Sequence, residues 1–321
     1  MTKPTLPNIK PHSLQAWLSF MRPKTFWIAA VPVFVGSALT LALTGTFNLW
    51  VCLLTLFSSI AIQALSNMQN DYGYNKKKAE NGTRKGLPRA TTEGWISMEA
   101  GKRMIIFMLI LCSVLGAALI CIGGWPILII AVLSVLCAYC YMGGPLPIAY
   151  TPFGELLVLI FYGWFAVGGT FWLQTHQVSG IAICCGTALG LIGAAVLYVN
   201  NFRDIDHDIS VGRKTLAAFT GRKAGIYCYS AMIYLPFIVI GWLASFKPEF
   251  WPLLFTLIVL PRAAFLPKQL EVSDGYTANA VMFNTIKLEL LFGLLLTASA
   301  IAIFVLNWPG HFPANLFANP F

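Results

Sequence analysis

The stretch from Gly180 to Asp208 reads GIAICCGTALGLIGAAVLYVNNFRDIDHD. Residues 180–199 carry no charge, and they are as long as a helix needs to be to cross a bilayer, ~20 mostly apolar residues. The chain then turns polar at once, with Asn200, Asp204 and Asp208 at four-residue steps. Steps of four put side chains on one face of a helix. An Asp is costly in hydrocarbon, so carboxylates at the end of a span imply a partner. The same reading applies earlier in the chain, where an apolar run ends in Asn67-Met-Gln-Asn-Asp71-Tyr-Gly-Tyr-Asn75. Both segments follow N-x3-D-x3-[N/D].

The rest of the chain supports a membrane setting. It has 321 residues, 58% hydrophobic and only 10% charged, with a mean hydropathy of +0.73. A soluble domain averages about 25% charged residues, so a soluble globular protein is excluded, and so is disorder, which requires low hydrophobicity. Nine spans are expected, near 26–44, 49–66, 104–122, 125–142, 153–173, 180–199, 226–246, 250–266 and 286–306. They form a single all-α membrane domain over residues 1–321, with residues 1–25 as an interfacial leader. In that leader, Leu14, Trp17, Leu18 and Met21 have helical spacing and predict a short amphipathic helix. No small-residue cleavage site follows a short apolar region, so no secretory signal is expected.

With nine spans, every Lys and Arg except Lys247 falls on one side. The positive-inside rule makes that side cytoplasmic, with the N-terminus there and the C-terminus outside. The two polar motifs lie four spans apart and share this face, which hints at two similar halves.

Carboxylate and amide oxygens suit a hard cation such as Mg2+, which takes one or two protein carboxylates and completes its shell with water and phosphate oxygens. Basic residues follow each motif: Arg84, Lys85 and Arg89, then Arg213, Lys214, Arg222 and Lys223. Acid, metal and phosphate flanked by Arg and Lys describe a diphosphate clamp. Either motif alone reads most simply as a solvated helix end followed by topological charges, the reading kept for Lys76, Lys77 and Lys78. Two of identical spacing on one face favour a shared ligand.

Other signals are local. The eight cysteines lie in or beside apolar stretches, and Cys137 and Cys140 lack the second pair or nearby His of a metal site. Glu155 fits either a helix dipole or a cavity wall. Lys287 fits snorkelling, pairing with Glu289 or a substrate contact. Tyr72, Tyr74, Trp164 and Tyr198 are the aromatics considered for a carbocation.

Taken with Arg22-Pro-Lys-Thr25, Arg84-x-Gly86-x-x-Arg89, Gly144-Pro145, Gly154-Glu155 and Gly212-Arg-Lys-Thr-Leu216, the two motifs resemble those of the UbiA superfamily of intramembrane aromatic prenyltransferases. Within it the chain is most similar to the 1,4-dihydroxy-2-naphthoate polyprenyltransferases, the MenA family of menaquinone synthesis. The resemblance implies a nine-helix UbiA-type bundle in the cell (inner) membrane. It implies a polyprenyl diphosphate held between the motifs through Mg2+, with its tail in the bilayer. Departure of diphosphate would leave an allylic cation, attacked by 1,4-dihydroxy-2-naphthoate at its carboxyl-bearing carbon with loss of CO2. Carried over by position, Asp71, Asp204 and Asp208 are the catalytic metal ligands, and Asn67, Arg84, Arg89, Asn200 and Lys214 bind the diphosphate. This chain has Tyr74 where many relatives have Asp, and Glu80 at a later acidic position. Sibling enzymes acting on 4-hydroxybenzoate or homogentisate are the nearest alternative. A transporter would use broken helices and charges at mid-membrane, whereas the acids here lie at the cytoplasmic surface and no pair of Gly/Pro-interrupted spans matches. A scaffold that binds lipid through its basic loops would need the cations but not the aligned Asp residues.

Overall fold

The computed structural model describes residues 9–79, 85–143 and 147–307, and all regular structure among them is helical. Helix α1, Leu14–Met21, starts where Ser13 Oγ accepts from the Ala16 N–H. Its Ala16 and Phe20 pack inward with Leu65, Met68 and Ile96, while Leu14 is 75% exposed. The expected short helix is therefore present, but it buries Ala16 and Phe20, while Leu14 and Leu18 of the expected stripe face outward. At Arg22 the backbone enters the left-handed region (φ 56°), an uncommon choice for a residue with a Cβ, and redirects the chain into α2, Phe26–Thr44.

Helix α3, Leu49–Lys76, is capped by Asn48 and runs well past its apolar part, so Asn67, Asp71 and Asn75 all lie on one continuous helix. Residues 98–140 are helical apart from Gly124, whose φ of 68° and ψ of −154° break the run into α4 (98–123) and α5 (125–140). A Cβ on Gly116 would lie 3.6 Å from that of Ala131, whereas fifteen residues of straight helix span ~22 Å. The two helices thus fold back on each other, and what would be eight long apolar helices becomes nine crossings.

Helix α6, Gly154–Thr175, widens to π-helical turns over Leu159–Gly168 and lies against α7, Gly180–Arg203. The approach is close enough that a Cβ on Gly163 would come within 2.5 Å of the Gly186 carbonyl oxygen. Small residues at such a crossing let backbones meet, a common device for helices in lipid. After the short α8, Ile205–Ser210, come α9, Leu216–Phe246, α10, Pro248–Glu271, and α11, Ala278–Asn307. The eighth expected span is α10, and it is longer than predicted. Its twelve residues Pro248–Val259 wind as a 3-10 helix, which at ~2.0 Å per residue covers about 24 Å.

Alternation of nine spans brings one set of connections to each end. At one end the Lys85 N–H donates to Asp204, Asn279 Nδ2 donates to the Lys85 carbonyl, and the Lys214 N–H donates to the Tyr150 carbonyl. At the other, Asn48 and Gln174 exchange two hydrogen bonds (2.8 and 3.0 Å), and Trp172 Nε1 donates to the Gly123 carbonyl. Between them the outer surface is apolar, with Trp50, Phe57, Phe107, Ile110, Val114 and Ile258 all exposed. The chain is a multi-pass integral membrane protein.

Candidate active site

The two motifs meet at the end that carries the long polar connections. In the first, Asp71 is wholly buried. Its Oδ2 accepts from the Ala90 N–H (2.9 Å), and its Oδ1 from the Thr91 N–H (3.0 Å) and the Thr91 hydroxyl (2.6 Å). Arg22 Nη2 lies 3.8 Å from the same carboxylate. Asn75 Nδ2 donates to the Thr91 carbonyl, and Arg89 Nη1 donates to Asn70 Oδ1. Asn67 Nδ2 donates to the Met21 carbonyl and to Thr25 Oγ1, both at 2.8 Å. The first motif therefore fastens the 89–91 turn and the Arg22–Thr25 segment to α3.

The second motif is not one continuous helix. The helix α7 ends at Arg203, because the Asp204 N–H turns to the Asn201 carbonyl in a tight i−3 bond. One turn of new backbone then brings the Asp208 N–H onto the Asp204 carbonyl (2.8 Å). Each carboxylate has an arginine: Arg203 Nη2 is 2.6 Å from Asp204, and Arg213 Nη1 is 2.5 Å from Asp208. Arg203 also reaches Asn200 Oδ1 and Asn279 Oδ1, each at 2.7 Å. Burial alone would lower the Arg213 pKa, but the Tyr74 hydroxyl and the Asp208 carboxylate outweigh it and raise it, so this guanidinium stays charged.

Tyr74, the residue that departs from the resembled pattern, sits between the motifs. Its hydroxyl accepts from Arg213, and the Arg89 guanidinium lies 3.6 Å from its ring centroid. Its phenol and ring thus contact two buried cations.

Below this layer a cavity of about 950 Å³ runs between the helices. Its polar end is lined by Arg22, Lys24, Asn67, Asn70, Asn200 and Arg203, and its deeper walls are mostly apolar with Gln63, Tyr141 and Tyr162 among them. The three carboxylates stand behind that lining and hold the arginines in place. Cations and amides at a cavity end fit an anionic head, and apolar walls fit a hydrocarbon body.

Arg84 and Glu80 fall outside the described residues, as do Gly144 and Pro145. Arg89 is buried beneath Asn70 and Tyr74, and the Lys214 side chain is exposed. Neither Tyr72, Tyr74, Trp164 nor Tyr198 lines the cavity; Trp164 donates to Thr187, and Tyr198 pairs with Thr220. Glu155 is buried and accepts from Asn201 Nδ2 (2.9 Å), serving the α6–α7 contact. Lys287 is exposed while Glu289 is buried, which is the snorkelling arrangement. Sequence reasoning passed over Arg203 and Arg213 in favour of Lys214. The signal was present: Arg203 is three residues after Asn200 and adjoins Asp204, and Arg213 follows Asp208 by five.

No group of three or more His, Cys, Asp or Glu side chains gathers as a metal site among the described residues. A cation that takes one or two carboxylates and draws its other oxygens from phosphate and water does not need one. Asp204 and Asp208, on successive turns, have the oxygen donors such an ion takes, and would share or exchange Arg203 and Arg213 to hold it. Asp71 would have to give up its bonds to Ala90 and Thr91 to join them.

Residues 29–287 match the UbiA prenyltransferase family. The chain is 31% identical over 304 residues to the 1,4-dihydroxy-2-naphthoate octaprenyltransferase of Escherichia coli (strain K12), covering 92% of this chain and 96% of that one. It is 35% identical over 239 residues to the protein of the same name from Haemophilus influenzae, covering 70% and 78%. The fold is shared with a UbiA homologue from Archaeoglobus fulgidus solved with DMAPP and Mg2+, at a TM-score of 0.66 and 15% identity over 90% of this chain and 99% of that one.

Proposed function

The chain belongs to the UbiA prenyltransferase family, and from that premise we propose that it transfers a polyprenyl group from an allylic diphosphate to 1,4-dihydroxy-2-naphthoate, releasing diphosphate and CO2 in menaquinone synthesis. The observation that carries this is the cavity, which joins a cationic, amide-rich end to an apolar interior. The naphthoate acceptor is supported by the names of the curated relatives. The active-site end is proposed to face the cytoplasm, on the strength of the basic loops gathered there.

In this reading Arg22, Lys24 and Arg203 receive the diphosphate oxygens, with the amides of Asn67, Asn70 and Asn200 beside them. Asp71 and Asp204 aim Arg22 and Arg203. Fixed cations aimed at a charge that grows as the C–O bond breaks lower the barrier without reorganising during the step. Mg2+ held by Asp204 and Asp208 would add its charge to that stabilisation of the leaving group. The mostly apolar walls limit water around the allylic cation and favour its capture by the electron-rich ring.

The test is to incubate the purified protein in lipid with a polyprenyl diphosphate, Mg2+ and 1,4-dihydroxy-2-naphthoate, and to follow products by mass spectrometry. 4-Hydroxybenzoate and homogentisate are run in parallel. A decarboxylated prenyl naphthol that requires Mg2+ and disappears in Asp208→Asn is expected. Product only from another acceptor overturns the naphthoate assignment, and none from any overturns the activity.

A further inference from the structure

Helix α11 turns one stripe toward the cavity. Met282, Phe283 and Ile286 line it, and Glu289 follows on the same face, one turn deeper in the membrane. The Glu289 side chain is 2% exposed, and its Oε1 has no hydrogen-bond partner among the described residues. An intramembrane carboxyl in that state is expensive, and its retention points to a ligand that completes it.

The neighbours show where that ligand would come from. Gly193 lines the cavity, and a Cβ built on it would lie 3.7 Å from Glu289 Oε1 and 3.4 Å from Val158 Cγ1. The glycine opens a window between the carboxyl and the cavity that any side chain would narrow. Gly193 is seven residues before Asn200 on α7, so the window lies ~10 Å inward from the anionic end. Tyr162 lines the cavity within electrostatic range of Glu289, its hydroxyl donating to Gln63. A second polar patch therefore exists at the depth where an aromatic acceptor would lie beneath a diphosphate.

We propose that Glu289, reached through the Gly193 window, is the catalytic residue that binds the acceptor's phenolic hydroxyl and takes up its proton during ring attack; this rests on the prenyl-transfer reading above. As the ring carbon bearing the carboxylate bonds to the allylic carbon, the O–H bond of the adjacent hydroxyl breaks. Its proton goes to Glu289, and its electron pair becomes a ring C=O. The product of that step is a β-keto carboxylate. It loses CO2, the bonding pair forms an enolate, and the enolate recovers the proton from Glu289. The residue ends as it began, and no further reactant is consumed. Transfer to a positioned base of this kind contributes roughly 10²–10⁴-fold to rate.

Glu289→Gln keeps the shape and removes the proton acceptor. It is expected to lower kcat by roughly 10²-fold, leave the KM for the prenyl diphosphate within twofold, and abolish the acid limb of the pH–rate profile. Gly193→Ala, whose Cβ meets only ordinary contacts, is expected to raise the acceptor KM at least fivefold with an unchanged melting temperature. Equilibrium binding of 1,4-dihydroxy-2-naphthoate without donor gives an independent reading, and Glu289→Gln is expected to weaken it about tenfold. Wild-type turnover with an unaltered kcat and pH profile in Glu289→Gln overturns this inference alone. Absence of wild-type turnover with every acceptor overturns the prenyl-transfer reading, and unaltered naphthoate binding in Glu289→Gln then overturns this one as well.

Discussion

The ends of α3 and α7 carry the same spacing of amide and carboxylate, yet the two segments use it differently. At the end of α3 the helix continues unbroken, and the Asp71 carboxylate is occupied by the 89–91 turn. At the end of α7 the helix breaks at Asp204, and both carboxylates pair with arginines rather than with backbone amides alone. A buried carboxylate that accepts backbone N–H groups is a fastener, whereas one paired with a buried arginine fixes the position of a cation. Identical motifs thus signal a shared location, and the job of each is decided by what the following loop offers it.

The largest expected effect falls on the α7 side. Asp208→Asn should cost roughly 10²–10³-fold in kcat and also lower the melting temperature, because it leaves the buried Arg213 guanidinium without its counter-charge; both are read by prenyl transfer and by melting in detergent. Asp71→Ala should act through stability first. It leaves the Ala90 and Thr91 donors buried and unpaired, at about 1–3 kcal/mol for each such group, so the melting temperature drops first and activity follows. An Asp71→Ala protein that melts like wild type but has lost turnover would erase the distinction between the two motifs.

Tyr74 allows a finer test. Tyr74→Asp would place a carboxylate between Arg89 and Arg213 and make the α3 motif chemically more like its counterpart. The expected outcome is a severalfold lower Mg2+ concentration for half-maximal rate; an unchanged metal requirement would show that the position does not communicate with the metal. Smaller still is Asn67→Ala, which frees the Met21 carbonyl and Thr25 hydroxyl. It should raise the KM for the prenyl diphosphate a few-fold through looser placement of Arg22 and Lys24, with kcat nearly intact.

A carboxylate outside both motifs supplies the control. Asp274 accepts from the Thr277 N–H and hydroxyl at the start of α11, and those bonds hold its pKa below the usual value. Its stabilising contribution is full above the ordinary carboxylate pKa and fades as pH falls through the depressed one. Hydrogen-exchange protection at the start of α11 should therefore decline in acid, and Asp274→Asn should flatten that decline without altering metal dependence.

The nine crossings were legible because apolar length and one-sided charge are properties of the sequence itself. Even Gly124, which decides whether residues 98–140 cross once or twice, lies where the apolar run is too long for one span. The break at Asp204 was less legible, since N-x3-D-x3-D is equally compatible with a straight helix. Arg203 and Arg213 were harder to single out from their basic neighbours, because spacing does not reveal which cation is buried and which, like Lys214, is exposed. In the sequence, Glu289 reads only as a possible partner of Lys287. Its significance depends on Gly193, nearly a hundred positions away, and only folding brings them together.

The α4–α5 hairpin has one more consequence. Its inner face, through Gly116, Leu119, Ile127 and Ala131, lines the cavity, while Ile110, Val114, Ile129 and Leu133 on its outer side are exposed. A wall one helix thick thus separates two hydrocarbon media. For a donor whose tail starts in lipid, moving isoprene units across that wall trades one apolar contact for another, with no hydrophobic gain. Affinity would then be almost independent of tail length and reside in the anionic head. Which isoprenoid is transferred would be set by which one the membrane contains.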